Sequence, residues 1–142
     1  MVPRGDRGLS GRSPGADPGG FAHLHVRSGF SYGYGVATPE ELVGAAAEMG
    51  MRSLALTDQN GLYGVPRFLR AATVGGVRAV VGAEVSVGFR GLLGHVVLLA
   101  EGMEGYRSLC RLVTRYRCSS AERRRPVCSL DDLLGHAGGW CA

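Results

Sequence analysis

SLALTDQNGLYGVPRFLRAATVGGVRAVVGAEVSV, residues 53–87, is the stretch on which the fold turns. The apolar run SLALT (53–57) has the length of a strand and stops at a loop, Asp58-Gln59-Asn60-Gly61. YGVPRFLRAAT (63–73) then reads as a helix, in which Pro66 is tolerable only within the first turn. RAVVGAEVSV (78–87) returns to strand character, as one long strand or as two broken around Gly82. On the N-terminal side, FAHLH (21–25) reads as a short strand and SGFSYGYGVA (28–37) as a glycine- and aromatic-rich loop. Thr38-Pro39-Glu40-Glu41 is a helix start, with Thr as N-cap, Pro at the first helical position and Glu closing a capping box. That helix turns Leu42, Val43, Ala46, Ala47 and Met49 inward and stops at Gly50. On the C-terminal side, GHVVLLA (94–100) is a further strand, and MEGYRSLCRLVTRYR (103–117) is an amphipathic helix striped by Tyr106, Leu109, Cys110, Leu112, Val113 and Tyr116. A polar loop, CSSAERRRPVC (118–128), leads to a short helix capped by Ser129 that fades into GHAGGWCA. The order β-α-β-α-β-β-α predicts an α/β fold with a largely parallel sheet, and the chain ends where another strand is expected.

Composition narrows the class. At 142 residues the chain suits one domain with a core, and no run approaches the roughly 20 apolar residues of a membrane span. Residues 1–20 hold almost nothing to bury and are expected to form a disordered leader. They lack the apolar stretch of a secretory signal, so the expected compartment is the cytoplasm. The net charge is +4, and all sixteen basic residues are Arg. They are scattered except for Arg123, Arg124 and Arg125, which supports a nucleic-acid-binding module only weakly. Cys110, Cys118, Cys128 and Cys141 contain no CxxC pair and read as free thiols.

Four polar groups lie on or beside apolar strands. His23 and His25, two apart on a strand, would project from one face and could serve one metal ion; the alternative is two half-exposed histidines. Asp58, at the end of its strand, occupies a place where a ligand or a general base belongs, or else caps the glycine-containing loop. Glu84 lies inside VVGAEVSV, where a carboxylate is costly unless paired, protonated or bound to metal. His95 opens HVVLLA. Three imidazoles and one carboxylate on strands of one sheet form a plausible hydrolytic metal set, with zinc or manganese as the ion.

The run HLHVRSGFS, ATPEEL, MGMRSLALTDQNGLYGVPRFLRAA, GVRAVVGAEVSV and HVVLLAEGMEGYRSLCRLVT resembles the start of the PHP (polymerase and histidinol phosphatase) domain of bacterial DNA polymerase III alpha subunits, closest to the error-prone branch. The resemblance is nearly gapless from residue 21 to about 117 and looser to 142. It implies a distorted β/α barrel with divalent metal ions at its strand ends and phosphoester hydrolysis, in some members a 3′–5′ exonuclease. By the same resemblance His23, His25, Glu84 and His95 are metal ligands, whereas Tyr34 and Gln59 stand where the family usually carries an acidic residue and a histidine. Residues 21–142 are therefore expected to be the N-terminal part of a PHP domain, incomplete at its C-terminal end, with a weakly bound metal if any and little catalysis. The expected partners are the remainder of a polymerase or its accessory proteins, DNA indirectly, and further copies of this chain. Self-association would run through apolar surface left open on GHVVLLA and on the stripe of the 103–117 helix. An active phosphoesterase and a small basic nucleic-acid-binding module are the alternatives.

Overall fold

The computed structural model describes residues 21–120 and 125–142. The leader predicted over 1–20, together with Arg123 and Arg124, lies outside them. Nine elements follow in order: α1 (Pro39–Glu48), β1 (Ser53–Gln59), α2 (Val65–Gly75), β2 (Arg78–Phe89), β3 (Leu92–Ala100), α3 (Gly102–Ser119), β4 (Cys128–Ser129), α4 (Leu130–Gly135) and β5 (Trp140–Cys141). The capping box forms as the sequence predicts: Glu41 N–H donates to the Thr38 hydroxyl, and the Glu41 carboxylate accepts from Thr38 N–H at 2.7 Å. Pro66 falls in the first turn of α2, where its missing N–H costs nothing.

The sheet is mixed, which corrects the expectation of a largely parallel one. β1 and β2 are parallel, as a crossover through α2 requires, but β2 and β3 are antiparallel. The reason is a two-residue turn at Arg90-Gly91, whose φ values of 49° and 81° are both positive. A turn of that kind matches the right-handed twist of antiparallel strands and closes a hairpin. β2 is one continuous strand. A Cβ on Gly82 would come within 2.5 Å of the Leu98 carbonyl oxygen, so glycine there admits the neighbouring strand and does not break its own. β4 continues along the edge of β2 beyond β1, and β5 pairs with β3, giving the order β1-β2-β3-β5.

Register decides what each face does. Asp58, Ala83 and Leu98 share one face; Gln59, Glu84 and Val97 share the other. The first face carries the helices. Leu54 and Leu56 pack with Val43, Ala46, Phe68 and Ala72 of α1 and α2, while Ala83, Val85 and Leu98 pack with Leu109, Leu112, Val113 and Tyr116 of α3. The α3 stripe is thus buried and not left open. Each of its leucines contributes about 1.5–3 kcal/mol relative to exposure. Phe89, Leu92 and Leu93 at the hairpin tip are among the exposed apolar side chains, alongside others such as Tyr32, Val36 and Val74 elsewhere on the surface. Among the described residues no helix is long and apolar enough to cross a membrane.

Candidate functional site

The second face, bare of helices, is overlaid at its β1 edge by the segment leading into the fold. Ala55 N–H donates to the His23 carbonyl and Thr57 N–H to the Val26 carbonyl. Three steps of the leading segment are thus matched to two of β1, as in a bulge, and the alternation expected of HLH does not carry through. Residues 21–25 form only an isolated bridge, between His23 and Leu54. The His23 ring stands edge-on to Phe21, 4.8 Å between centroids, and no hydrogen bond or ion pair joins it to Glu84. His25 does reach Glu84, and so does Arg27, two residues further on. The structure brings His25, Arg27 and His95 onto Glu84, while the described contacts of His23 are with Phe21 through its ring and with Ala55 through its carbonyl.

Glu84 is 1% exposed, and its two oxygens live in different surroundings. Oε2 accepts from His25 Nε2 at 2.6 Å and from Arg27 Nε at 2.7 Å, and it is ion-paired with Arg27 Nη2. Oε1 has no hydrogen-bond partner among the described residues; His95 Nδ1 lies 3.3 Å away as an ion pair. Burial pushes this carboxyl upward. The hydrogen bonds from Arg27 and then His25, reinforced by their charges, outweigh it and hold the group below its ordinary value. An ionised carboxylate can only accept, so the His25 Nε2 facing it carries the proton and has no lone pair to offer a metal.

Around this pair runs a polar network that the sequence did not flag. Asn60, at φ 50°, accepts Ser86 N–H on its side-chain oxygen and donates from Nδ2 to the Ser86 hydroxyl. The Tyr116 hydroxyl also donates to Asn60 Oδ1, and Arg117 to its backbone carbonyl, so one residue ties β1 to β2 and α3. The Ser86 hydroxyl lies 3.4 Å from His95 Nδ1. Beside it opens a cavity of about 540 Å³, lined by Tyr34, Gln59, Ser86, His95 and Arg125 among others. Tyr34 and Gln59 thus line this cavity, Gln59 as the cross-strand neighbour of Glu84 on the same face, and Tyr34 carries the Arg27 guanidinium 5.0 Å above its ring.

Asp58 serves elsewhere. Facing the helices and 2% exposed, it accepts from Ser28 N–H at 2.7 Å, from the Ser28 hydroxyl on both oxygens, and from the Ser31 hydroxyl at 2.8 Å. The Ser31 oxygen in turn accepts Gln59 N–H. This carboxylate clamps the 28–31 loop to the end of β1. Sequence reading missed Arg27, Ser28, Ser31, Asn60 and Ser86. Arg27 alone had a signal, since alternation carried one step past His25 reaches it; serines and asparagines in loops carry no comparable pattern.

A mixed α/β sheet with imidazoles and a buried carboxylate on its uncovered face defines a PHP-type architecture. The chain belongs to the PHP domain family, whose profile matches residues 23–142. It is 43% identical over 126 residues to an error-prone DNA polymerase of Mycolicibacterium paratuberculosis, a match that takes in 84% of this chain and 12% of the polymerase. The chain thus spans about an eighth of the length of such relatives. Among solved structures, an amidohydrolase from Chromobacterium violaceum, with sulfate and no metal bound, is 30% identical with a TM-score of 0.58, over 69% of this chain and 34% of that one. A Bifidobacterium adolescentis protein assigned as a metal-dependent phosphoesterase shares the fold at 20% identity and a TM-score of 0.59, over 71% of this chain and 34% of that one.

Whether a metal ion fits is decided at Glu84. Oε2 is closed by three N–H donors from His25 and Arg27. Oε1 and His95 Nδ1 could together offer two donors, one short of the three protein ligands of a catalytic zinc. Among the described residues no group of three or more His, Cys, Asp or Glu is placed to hold an ion. The fit is therefore partial.

Proposed function

We propose that this chain is the PHP portion of an error-prone DNA polymerase, acting in DNA replication and repair as a scaffold and not as a hydrolase. The observation that carries this reading is the pairing of Glu84 with Arg27: the buried carboxylate at this site is already balanced by a cation of the protein itself. Hydrolysis of a phosphoester at neutral pH needs a metal-activated water and charge stabilisation on the phosphoryl oxygens. Tyr34 and Gln59 at two positions bordering the cavity supply neither charge nor a good ligand. In this reading the domain is part of a larger β/α barrel, and the exposed tip at Phe89, Leu92 and Leu93 meets the remainder of the polymerase, an accessory protein or a second copy.

The test is hydrolysis of a 3′-labelled single strand and of a chromogenic phosphoester with added zinc, manganese or magnesium. The expected result is no turnover above that of a Glu84→Ala, His95→Ala double variant. Metal-dependent turnover lost in the double variant would favour the second reading, a working phosphoesterase. One observation supports that reading: Glu84 Oε1 is buried, has no hydrogen-bond partner among the described residues and faces His95 beside a cavity large enough for a phosphate group.

A further inference from the structure

Resting on the reading of the site as non-hydrolytic, we infer that Arg27 determines which cation Glu84 holds: its guanidinium stands where a divalent ion would bind, and an imidazole at position 27 would open the site to metal. Both Nε and Nη2 of Arg27 engage Oε2, the same oxygen that faces His25. The planar group lies between that oxygen and the Tyr34 ring, with its side chain 28% exposed. A guanidinium held on two sides in this way is a fixed charge and not a wandering surface one.

The consequence follows from charge and position. With Arg27 on Oε2, the buried carboxylate is already neutralised, so a divalent ion gains little there and meets the guanidinium as a like charge. Arg27 and His25 together close that oxygen, leaving Oε1 and His95 as the remaining donors. Positions 25 and 27 both project to Oε2, so histidine at 27 would stand beside His25, with Glu84 and His95 completing three imidazoles and a carboxylate. That donor set suits tetrahedral zinc.

The experiment compares zinc affinity of the full chain by competition with a chromophoric chelator, alongside thermal melts with zinc or EDTA. Arg27→His is expected to bind one zinc per chain on the order of 10–100-fold more tightly than the wild type, the range by which supporting groups alter metal affinity. Its melting temperature should rise with zinc, and adding Glu84→Gln should abolish both gains. Arg27→Gln removes the cation without supplying a good ligand and should bind between the two. Wild-type affinity equal to that of folded Arg27→His overturns the inference. If Arg27→His does not fold, Arg27→Gln decides: tighter binding than wild type supports the inference, and equal binding overturns it. Metal-dependent hydrolysis by the wild type would strike the non-hydrolytic reading, whereas this inference falls only on the comparison of affinities.

Discussion

Two buried carboxylates, Asp58 on β1 and Glu84 on β2, lie on opposite faces of one sheet and are satisfied in opposite ways. Asp58 accepts from a backbone N–H and two hydroxyls of a single loop, all neutral and all within residues 28–31. Glu84 is met by side chains from two separate segments, one permanently charged and two titratable, and one of its oxygens has no hydrogen bond from the described residues. A ring of neutral donors from one loop fixes that loop and offers nothing to a ligand. A carboxylate balanced by exchangeable cations can be rebalanced by another cation. The contrast separates a clamp from a site more clearly than residue type does, since both positions are acidic and both are buried.

The largest expected effect is on Glu84. Arg27→Met removes the charged partner of a buried carboxylate and should cost about 3 kcal/mol in urea unfolding, at the lower end for a broken buried pair because His25 remains. Adding Glu84→Gln should restore most of it; a fully stable Arg27→Met would show that Glu84 is not held as a charge. Asp58→Ala should cost about 2 kcal/mol by orphaning the Ser28 amide and two hydroxyls. Hydrogen exchange should localise the change to residues 28–35, and a change spread over the sheet would break the distinction between clamp and site.

A third effect concerns pH. Because Glu84 is held below its ordinary value, the folded state prefers it ionised; its contribution is complete above the unfolded value near 4.5 and is lost as pH falls through the folded value. Without Arg27 the folded value rises, so the acid limb of melting temperature against pH should begin at higher pH in Arg27→Met than in the wild type. Coincident limbs would contradict the pairing. The smallest effect is His23→Ala, which should change stability by less than about 0.5 kcal/mol and leave zinc affinity unaltered, since His23 touches Phe21 and not Glu84.

Local chemistry was legible wherever one residue and its near neighbours suffice. The capping box at Thr38 and Glu41 and the proline in the first turn of α2 appear as read, because each rests on interactions within one turn of helix; the α3 helix forms where its stripe was read, but the stripe packs against β2 and β3 where open surface was expected. The α/β class and the peculiarity of Glu84 were legible too, the latter because a carboxylate in an apolar strand must find a partner. What that partner is could not be read. The antiparallel β2–β3 pair depends on Arg90 taking a positive φ, which a non-glycine residue does not announce. The face His23 serves depends on one extra residue opposite β1, because a shift of one residue reverses which face a side chain serves. Arg27 meets Glu84 across 57 positions of sequence, and Asn60 meets Tyr116 across 56. The sequence by itself determined which residues needed partners; the tertiary structure decided which partners they received, because strand register and face are properties of the assembled sheet and not of any one strand.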